Sequence, residues 1–163
     1  MTAITFHASA VMIGNAGAAF GAPADAGVVL LGASGAGKSE LALQLMERGA
    51  TLVADDQTEL FVRDDLLYAR APGPLAGLIE LREIGIVSQP FVAECRVGLV
   101  VELCTGPRMP QQAYFQLPGP LILPENAAPP FLRINPGLAV VAKILLAAAA
   151  FAHGLHREGI NTL

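Results

Sequence analysis

The sequence predicts an α/β fold: a mixed β-sheet that carries a phosphate-binding loop and is flanked by helices. Three observations predict it. The apolar run Val28-Val29-Leu30-Leu31 leads into Gly32-Ala33-Ser34-Gly35-Ala36-Gly37-Lys38-Ser39, which leads into Leu41-Ala42-Leu43-Gln44-Leu45-Met46, so a glycine-rich turn joins a strand to a helix. The middle of the chain reads as short strands, and prolines 107, 110, 118, 120, 124, 129 and 130 exclude long helices there. Only one strong helical pattern lies toward each end, too few helices for a doubly wound parallel sheet.

Along the chain, Ile4 to Ile13 reads as a strand, and residues 14 to 27 as a loop rich in Gly, Ala, Asp and Pro. Ser39 to Arg48 is an amphipathic helix stopped by Gly49, and Thr51-Leu52-Val53-Ala54 a buried strand ending at Asp55-Asp56, so the segment from Val28 forms a βαβ unit. Glu59 to Arg63 and Leu66 to Arg70 form a hairpin around Asp64-Asp65. Further strands fall near Leu78 to Leu81, Gly98 to Leu103, Ala113 to Leu117 and Phe131 to Ile134. Leu138 to Ala152 reads as a core helix, with Asn135 as N-cap, Pro136 in the first turn and Gly154 as its stop. His153 and Arg157 then lie where positive charge suits the helix dipole.

With 163 residues, 53% of them hydrophobic, the chain suits one domain spanning 1–163 with a sizeable core. A net charge of −4 without basic clusters argues against nucleic acid as a partner. The apolar stretch 138 to 152 is interrupted by Lys143 and is about 15 residues long, short of the ~20 a bilayer requires, so no membrane association is expected. Cys95 and Cys104 flank a strand whose length keeps them apart, which predicts reduced thiols. With no visible targeting segment, that predicts a cytoplasmic protein.

The glycine-rich turn carries the chemistry. Residues 32 to 39 fit the G-x-x-x-x-G-K-[ST] pattern: glycines let the backbone approach a polyphosphate, and the helix N-terminus attracts its charge. Lys38 reaches the outer phosphates and the Ser39 hydroxyl can ligate Mg²⁺. Lys38 and Lys143 are the only lysines, so Lys38 stands out from an arginine-based surface. A bound nucleotide, with Mg²⁺, is therefore expected. Asp55-Asp56 ends the strand after the loop's helix, where a carboxylate can face the metal and the γ-phosphate. Neighbours in a strand point to opposite faces, so one aspartate can serve the metal and the other an attacking hydroxyl, and spacing alone leaves the two roles open.

These motifs together resemble the catalytic domain of bacterial HPr kinase/phosphorylase. The resemblance rests on Gly32 to Glu40 with Leu41-Ala42-Leu43, on Arg48 through Asp56, on Ile79-Glu80-Leu81-Arg82-Glu83-Ile84-Gly85-Ile86-Val87, and on Phe6-His7-Ala8 upstream. It implies a fold related to phosphoenolpyruvate carboxykinase and a kinase acting on a serine of HPr, the phosphocarrier of the sugar phosphotransferase system. Carried over by position, Lys38 would stabilise the transferring group, while Ser39, Asp55 and Glu80 would surround Mg²⁺. Asp56 would be the base, with Asp55 as its rival or a metal ligand, and His7 would stand near the phosphates; Arg82 would be a further catalytic residue, carried by the motif match alone. Glu40 is carried by the motif alone. The resemblance covers only the catalytic part of longer members, implying a short form without their N-terminal domain and allowing a homo-oligomer.

Departures from the pattern bear on the reverse reaction. Where the family reads Arg-Gly-Leu-Gly, this chain reads Arg82-Glu83-Ile84-Gly85. The arginine-bearing loop linked to dephosphorylation is reduced to Thr105-Gly106-Pro107-Arg108-Met109-Pro110, and Asn135-Pro136-Gly137-Leu138-Ala139 lacks the arginine and asparagine that usually follow Pro-Gly. These weigh against dephosphorylating activity. The competing readings are a small-molecule kinase or nucleotide hydrolase, and an ATP-binding regulatory module without turnover.

Overall fold

The first strand, β1 (Ala3–Met12), organises the rest, because both of its edges are paired. The computed structural model describes residues 2–106, 108 and 113–154. On one edge of β1 lies β2 (Ala26–Leu31), antiparallel, with Ala8 opposite Leu31 and Met12 opposite Gly27. On the other edge lie β3 (Thr51–Ala54) and β4 (Gln57–Arg63), end to end and both antiparallel to β1. The βαβ expectation is thereby corrected: β2 and β3 run parallel, but β1 is inserted between them.

β4 turns at Asp64-Asp65 into β5 (Leu66–Arg70), as the sequence predicts. Asp64 and Asp65 take φ of 50° and 62°, the left-handed pair of a tight hairpin turn that aspartate tolerates. A separate two-stranded hairpin comes next, β6 (Leu78–Leu81) and β7 (Gly85–Ser88), packed beside the main sheet through Ile79 and Leu81 on Leu52.

The long strand β8 (Cys95–Leu103) pairs β5 at its start and runs parallel to β2 along most of its length. The pairings therefore close into a ring, β1 to β4 to β5 to β8 to β2 and back, which leaves those strands without open edges. The last strand, β9 (Phe131–Ile134), adds parallel to β8 outside the ring.

Inside the ring the side chains are small or branched: Ala8, Ala10, Val29, Leu60, Ala69, Val97 and Val100 are all buried. On the outer face, Val28, Leu30, Leu99 and Val101 meet both helices, α1 (Lys38–Glu47) through Leu41 and Leu45, and α2 (Val140–Ala152) through Ile144 and Leu145. Helices on one face of a mixed sheet are what the sequence predicts. No helix of the described residues is long and apolar enough to cross a membrane.

Several local expectations are corrected. Residues 14 to 27 are not simply a loop, since Gly14–Phe20 form a 3₁₀ segment packed against α2. α2 begins at Val140 with Ala139 in a left-handed conformation, so Asn135 is not its cap: the residue before a proline avoids helical angles. Gly154 follows the helix at φ 65°, as expected, whereas Arg157 lies outside the described residues. Residues 113–117 form no strand, only a bridge from Tyr114 to Pro130.

Candidate functional site

The turn from β2 into α1 is built by its glycines. Gly35 and Gly37 take φ of 83° and 96°, angles that L side chains resist, and the space beside them is open, so glycine is required there by the backbone. Lys38 is nearly buried at the first turn of α1. Its Nζ donates to the carbonyls of Gly32 at 2.8 Å and Ala33 at 3.0 Å, which leaves one of three N–H groups for a ligand. Burial holds its ammonium below the usual lysine range, more strongly than Asp56 and Asp55 raise it.

Asp55 and Asp56 form the joint between β3 and β4. Both strands pair β1, but at the joint Asp56 takes φ 65° and Gln57 N–H closes onto the Asp55 carbonyl at 2.7 Å, a tight three-residue turn. The expected alternation therefore does not apply. The strand ends at Ala54, and the turn brings both carboxylates to one cleft. A non-glycine residue held at positive φ is strain the surrounding structure must enforce, and here Ala8 N–H does so by donating to the Asp56 carbonyl at 3.0 Å.

The two aspartates differ sharply in environment. Asp55 is buried: Oδ1 accepts from Ser39 Oγ at 2.7 Å and Ser9 Oγ at 2.8 Å, and Oδ2 accepts from Glu80 N–H at 3.0 Å. Asp56 is half exposed, with Oδ1 3.2 Å from His7 Nδ1, which is also 3.1 Å from the Asp56 carbonyl oxygen. Both neighbours of Nδ1 are acceptors, so the ring proton sits on Nδ1 and Nε2 is left to the cleft.

The cleft these residues line has a volume of about 450 Å³. It gathers His7, Lys38, Ser39, Asp55, Asp56, Glu80 and Arg82, together with Ser34, Gly35, Gly37 and Glu40 of the loop and helix. Gly32, Ala33 and Ala36 complete the loop without lining the cleft; Gly32 and Ala33 face Lys38 with their carbonyls. Glu80 and Arg82 come from the separate β6–β7 hairpin, pinned by the Glu80 N–H bond to Asp55. Of the arginine-bearing segment 105–110, residues 107, 109 and 110 lie outside the described residues. Sequence reasoning missed Ser9, whose only signal is a hydroxyl in the apolar run Ala8 to Val11, two residues beyond His7.

Four carboxylates, Glu40, Asp55, Asp56 and Glu80, face the cleft against the two cations Lys38 and Arg82. A polyphosphate entering such a site would meet an excess of negative side chains, which a divalent cation would offset. Oxygen donors alone, from Ser39, Asp55 and Glu80, suit a hard ion such as Mg²⁺. Among the described residues no set of three His, Cys, Asp or Glu side chains forms a self-sufficient metal centre, so any such ion would share its coordination with bound phosphate. Away from the cleft, Cys95 and Cys104 are free thiols as predicted, though Cys104 is only half-buried; burial pushes the Cys95 thiol up to about 12.

Known proteins share both the sequence and the fold. Residues 22–103 match the family model described as HPr Serine kinase C-terminal domain. The chain is 52% identical over 81 residues to an HPr kinase/phosphorylase of Peptoclostridium acidaminophilum, a match covering 47% of this chain and 26% of that protein. It is 33% identical over 150 residues to HPr kinase/phosphorylase 1 of Oceanobacillus iheyensis, covering 83% of this chain and 46% of the relative. The chain thus spans less than half the length of these relatives. Among solved structures, the Hpr(Ser) kinase/phosphatase from Coxiella burnetii superposes with a TM-score of 0.66 over 93% of this chain and 95% of that one. At 22% identity that likeness speaks for the fold.

Proposed function

Because this chain belongs to the HPr serine kinase C-terminal domain family, we propose that it transfers the γ-phosphoryl group of ATP to a serine hydroxyl of the phosphocarrier HPr. The observation that carries this reading is the joint between β3 and β4. One turn holds a buried carboxylate against the loop serine and an exposed carboxylate beside a histidine, in the same cleft as Lys38.

The division of labour follows from environment. Asp56, exposed and free of the hydroxyls that occupy Asp55, accepts the serine proton as the serine oxygen bonds to the γ-phosphorus and the bond from that phosphorus to the β-phosphate oxygen breaks. His7 holds Asp56 by its Nδ1–H and so aims it. The third N–H of Lys38 and the backbone N–H groups of the loop offset charge on the transferring group. Ser39, Asp55 and Glu80 would hold Mg²⁺, which would supply charge neutralisation for the bound polyphosphate. Arg82, at the edge of the cleft, is the remaining cation for phosphate or for an acidic acceptor. Ser9 keeps Asp55 in place from below.

The test is phosphotransfer to HPr by the wild-type chain and by Asp56→Asn in parallel, followed by inorganic phosphate added to the product. Phosphoserine formed by the wild type and lost by at least a hundredfold in Asp56→Asn, about the contribution of a positioned base, supports the reading. ATP binding without turnover in either form would instead mark a silent nucleotide-binding module. Loss of phosphoserine on adding inorganic phosphate, the phosphoryl group leaving the serine oxygen for a phosphate oxygen to give pyrophosphate, would add a dephosphorylating reaction, which the reduced 105–110 segment argues against.

A further inference from the structure

The cleft accounts for the phosphate and metal end of a nucleotide, yet none of its lining residues is suited to receive a nucleoside. They all lie in the loop, at the start of α1, on β1, at the β3–β4 joint or on β6 and its turn, hence on one side of the loop. On the other side, β8 runs parallel to β2 and β9 parallel to β8, and the three end level: Leu31 is opposite Glu102, and Leu103 opposite Ile134. The carboxyl ends of three parallel strands thus stand side by side, the setting in which α/β folds take their ligands. Leu103 packs directly against the loop, since a Cβ on Gly32 would lie 3.4 Å from Leu103 Cβ and 3.1 Å from Ala36 Cβ. From the end of β2 to the end of β9 is two strand spacings, roughly 10 Å, about the reach of a nucleotide from its β-phosphate to its base.

The segment after β9 is unusual. Asn135 to Ala139 are all exposed, Leu138 to 95%, although α2 behind them is rooted in the core through Val140 and Val141. Ala139 at φ 61° turns the chain into α2 and holds this loop out at the strand ends. A leucine with almost no contact, on a loop fixed at both ends, is an apolar platform. Asn135, exposed three residues earlier on the same loop, offers a donor and an acceptor that can read a base edge.

We propose that the 135–139 loop is the nucleoside subsite, with the purine base resting on Leu138 and its edge facing Asn135. The assignment rests on the kinase reading above and extends it to the choice of nucleotide.

The experiment measures dissociation constants for magnesium complexes of ATP, GTP and inorganic tripolyphosphate with the wild type, Leu138→Asp, Asn135→Ala and Lys38→Ala. The wild type is expected to bind ATP about tenfold more tightly than tripolyphosphate, the scale of partly burying one leucine side chain under a base. Leu138→Asp should erase that margin while leaving tripolyphosphate affinity unchanged, and Asn135→Ala should narrow the gap between ATP and GTP. Lys38→Ala should weaken all three. If ATP and tripolyphosphate bind the wild type equally, or Leu138→Asp weakens both alike or neither, the subsite is refuted while the phosphate site stands. If nothing binds the wild type, the kinase reading falls with it.

Discussion

Asp55 shows how little of a carboxylate's character lies in its own identity. Two adjacent aspartates differ because Ser9 and Ser39 donate to one and His7 to the other. Ser9→Ala removes a hydrogen bond to a buried carboxylate. It should cost about 2 kcal/mol of stability in denaturant titration and lower kcat more than it raises KM for ATP, because Asp55 loses its position while the loop is untouched. Glu83 makes a different point. It sits at φ 73° in the turn between β6 and β7, where the related pattern has glycine, so Glu83→Gly should raise stability by about 1 kcal/mol, read as a higher urea midpoint. Lys38 supplies a pH signature. Its pKa is lowered chiefly by burial, so protonated Lys38 costs stability that is recovered as pH rises through the lowered value. A bound polyphosphate raises that pKa again, so nucleotide binding at alkaline pH should take up protons. Calorimetry in buffers of different ionisation enthalpy would detect this, and Lys38→Arg should abolish it.

Among the elements, β3 and β4 matter most, because they act as one bent partner of β1 whose bend is the site. The register against β1 also shifts between Ala10 and Val11, an irregularity of the kind that re-aims side chains near active sites. Helix α2 lines no part of the cleft, yet it closes the outer face through Ile144 and Leu145, both almost fully buried. Ile144→Ala should therefore cost about 2–5 kcal/mol in chemical unfolding while leaving the cleft's affinity for Mg²⁺-nucleotide unchanged in the fraction that remains folded. At its far end His153 Nε2 lies 2.9 Å from the Gly21 carbonyl, tying α2 to the 3₁₀ segment, so the helix-end histidine is structural as the sequence suggests.

For the molecule as a unit, the ring of strands explains how a chain of 163 residues holds a polar cleft rigidly. Closure removes the open edges of β1, β2, β4, β5 and β8 and puts the loop and the β3–β4 joint on strands that brace one another. The 135–139 loop follows β9, which pairs β8 from outside the ring. The cleft joins α1, β1, the joint and the β6–β7 hairpin, so a ligand there binds only the folded state. Mg·ATP at about a hundredfold excess over its dissociation constant should stabilise the protein by about 2.7 kcal/mol, an upward shift of several degrees in thermal melting that Lys38→Ala should lose.

Features that depend on neighbours along the chain are legible in the sequence. The strand–loop–helix at Val28 to Met46, the Asp64-Asp65 hairpin and the aspartates just past β3 all follow from periodicity, glycine and turn chemistry, whereas His7, Glu80 and Arg82 are reached only through the family resemblance. Features that depend on strands meeting from distant parts of the chain are visible only in the folded molecule. There β1 stands between β2 and β3, Ser9 lies against Asp55, one of two adjacent carboxylates is buried and the other exposed, and Leu138 sits beyond the ends of β8 and β9. The reason is that pairing register and burial are properties of the assembled sheet. A hydroxyl in an apolar strand looks the same in sequence whether it faces solvent or a carboxylate, and only the partner strand settles which.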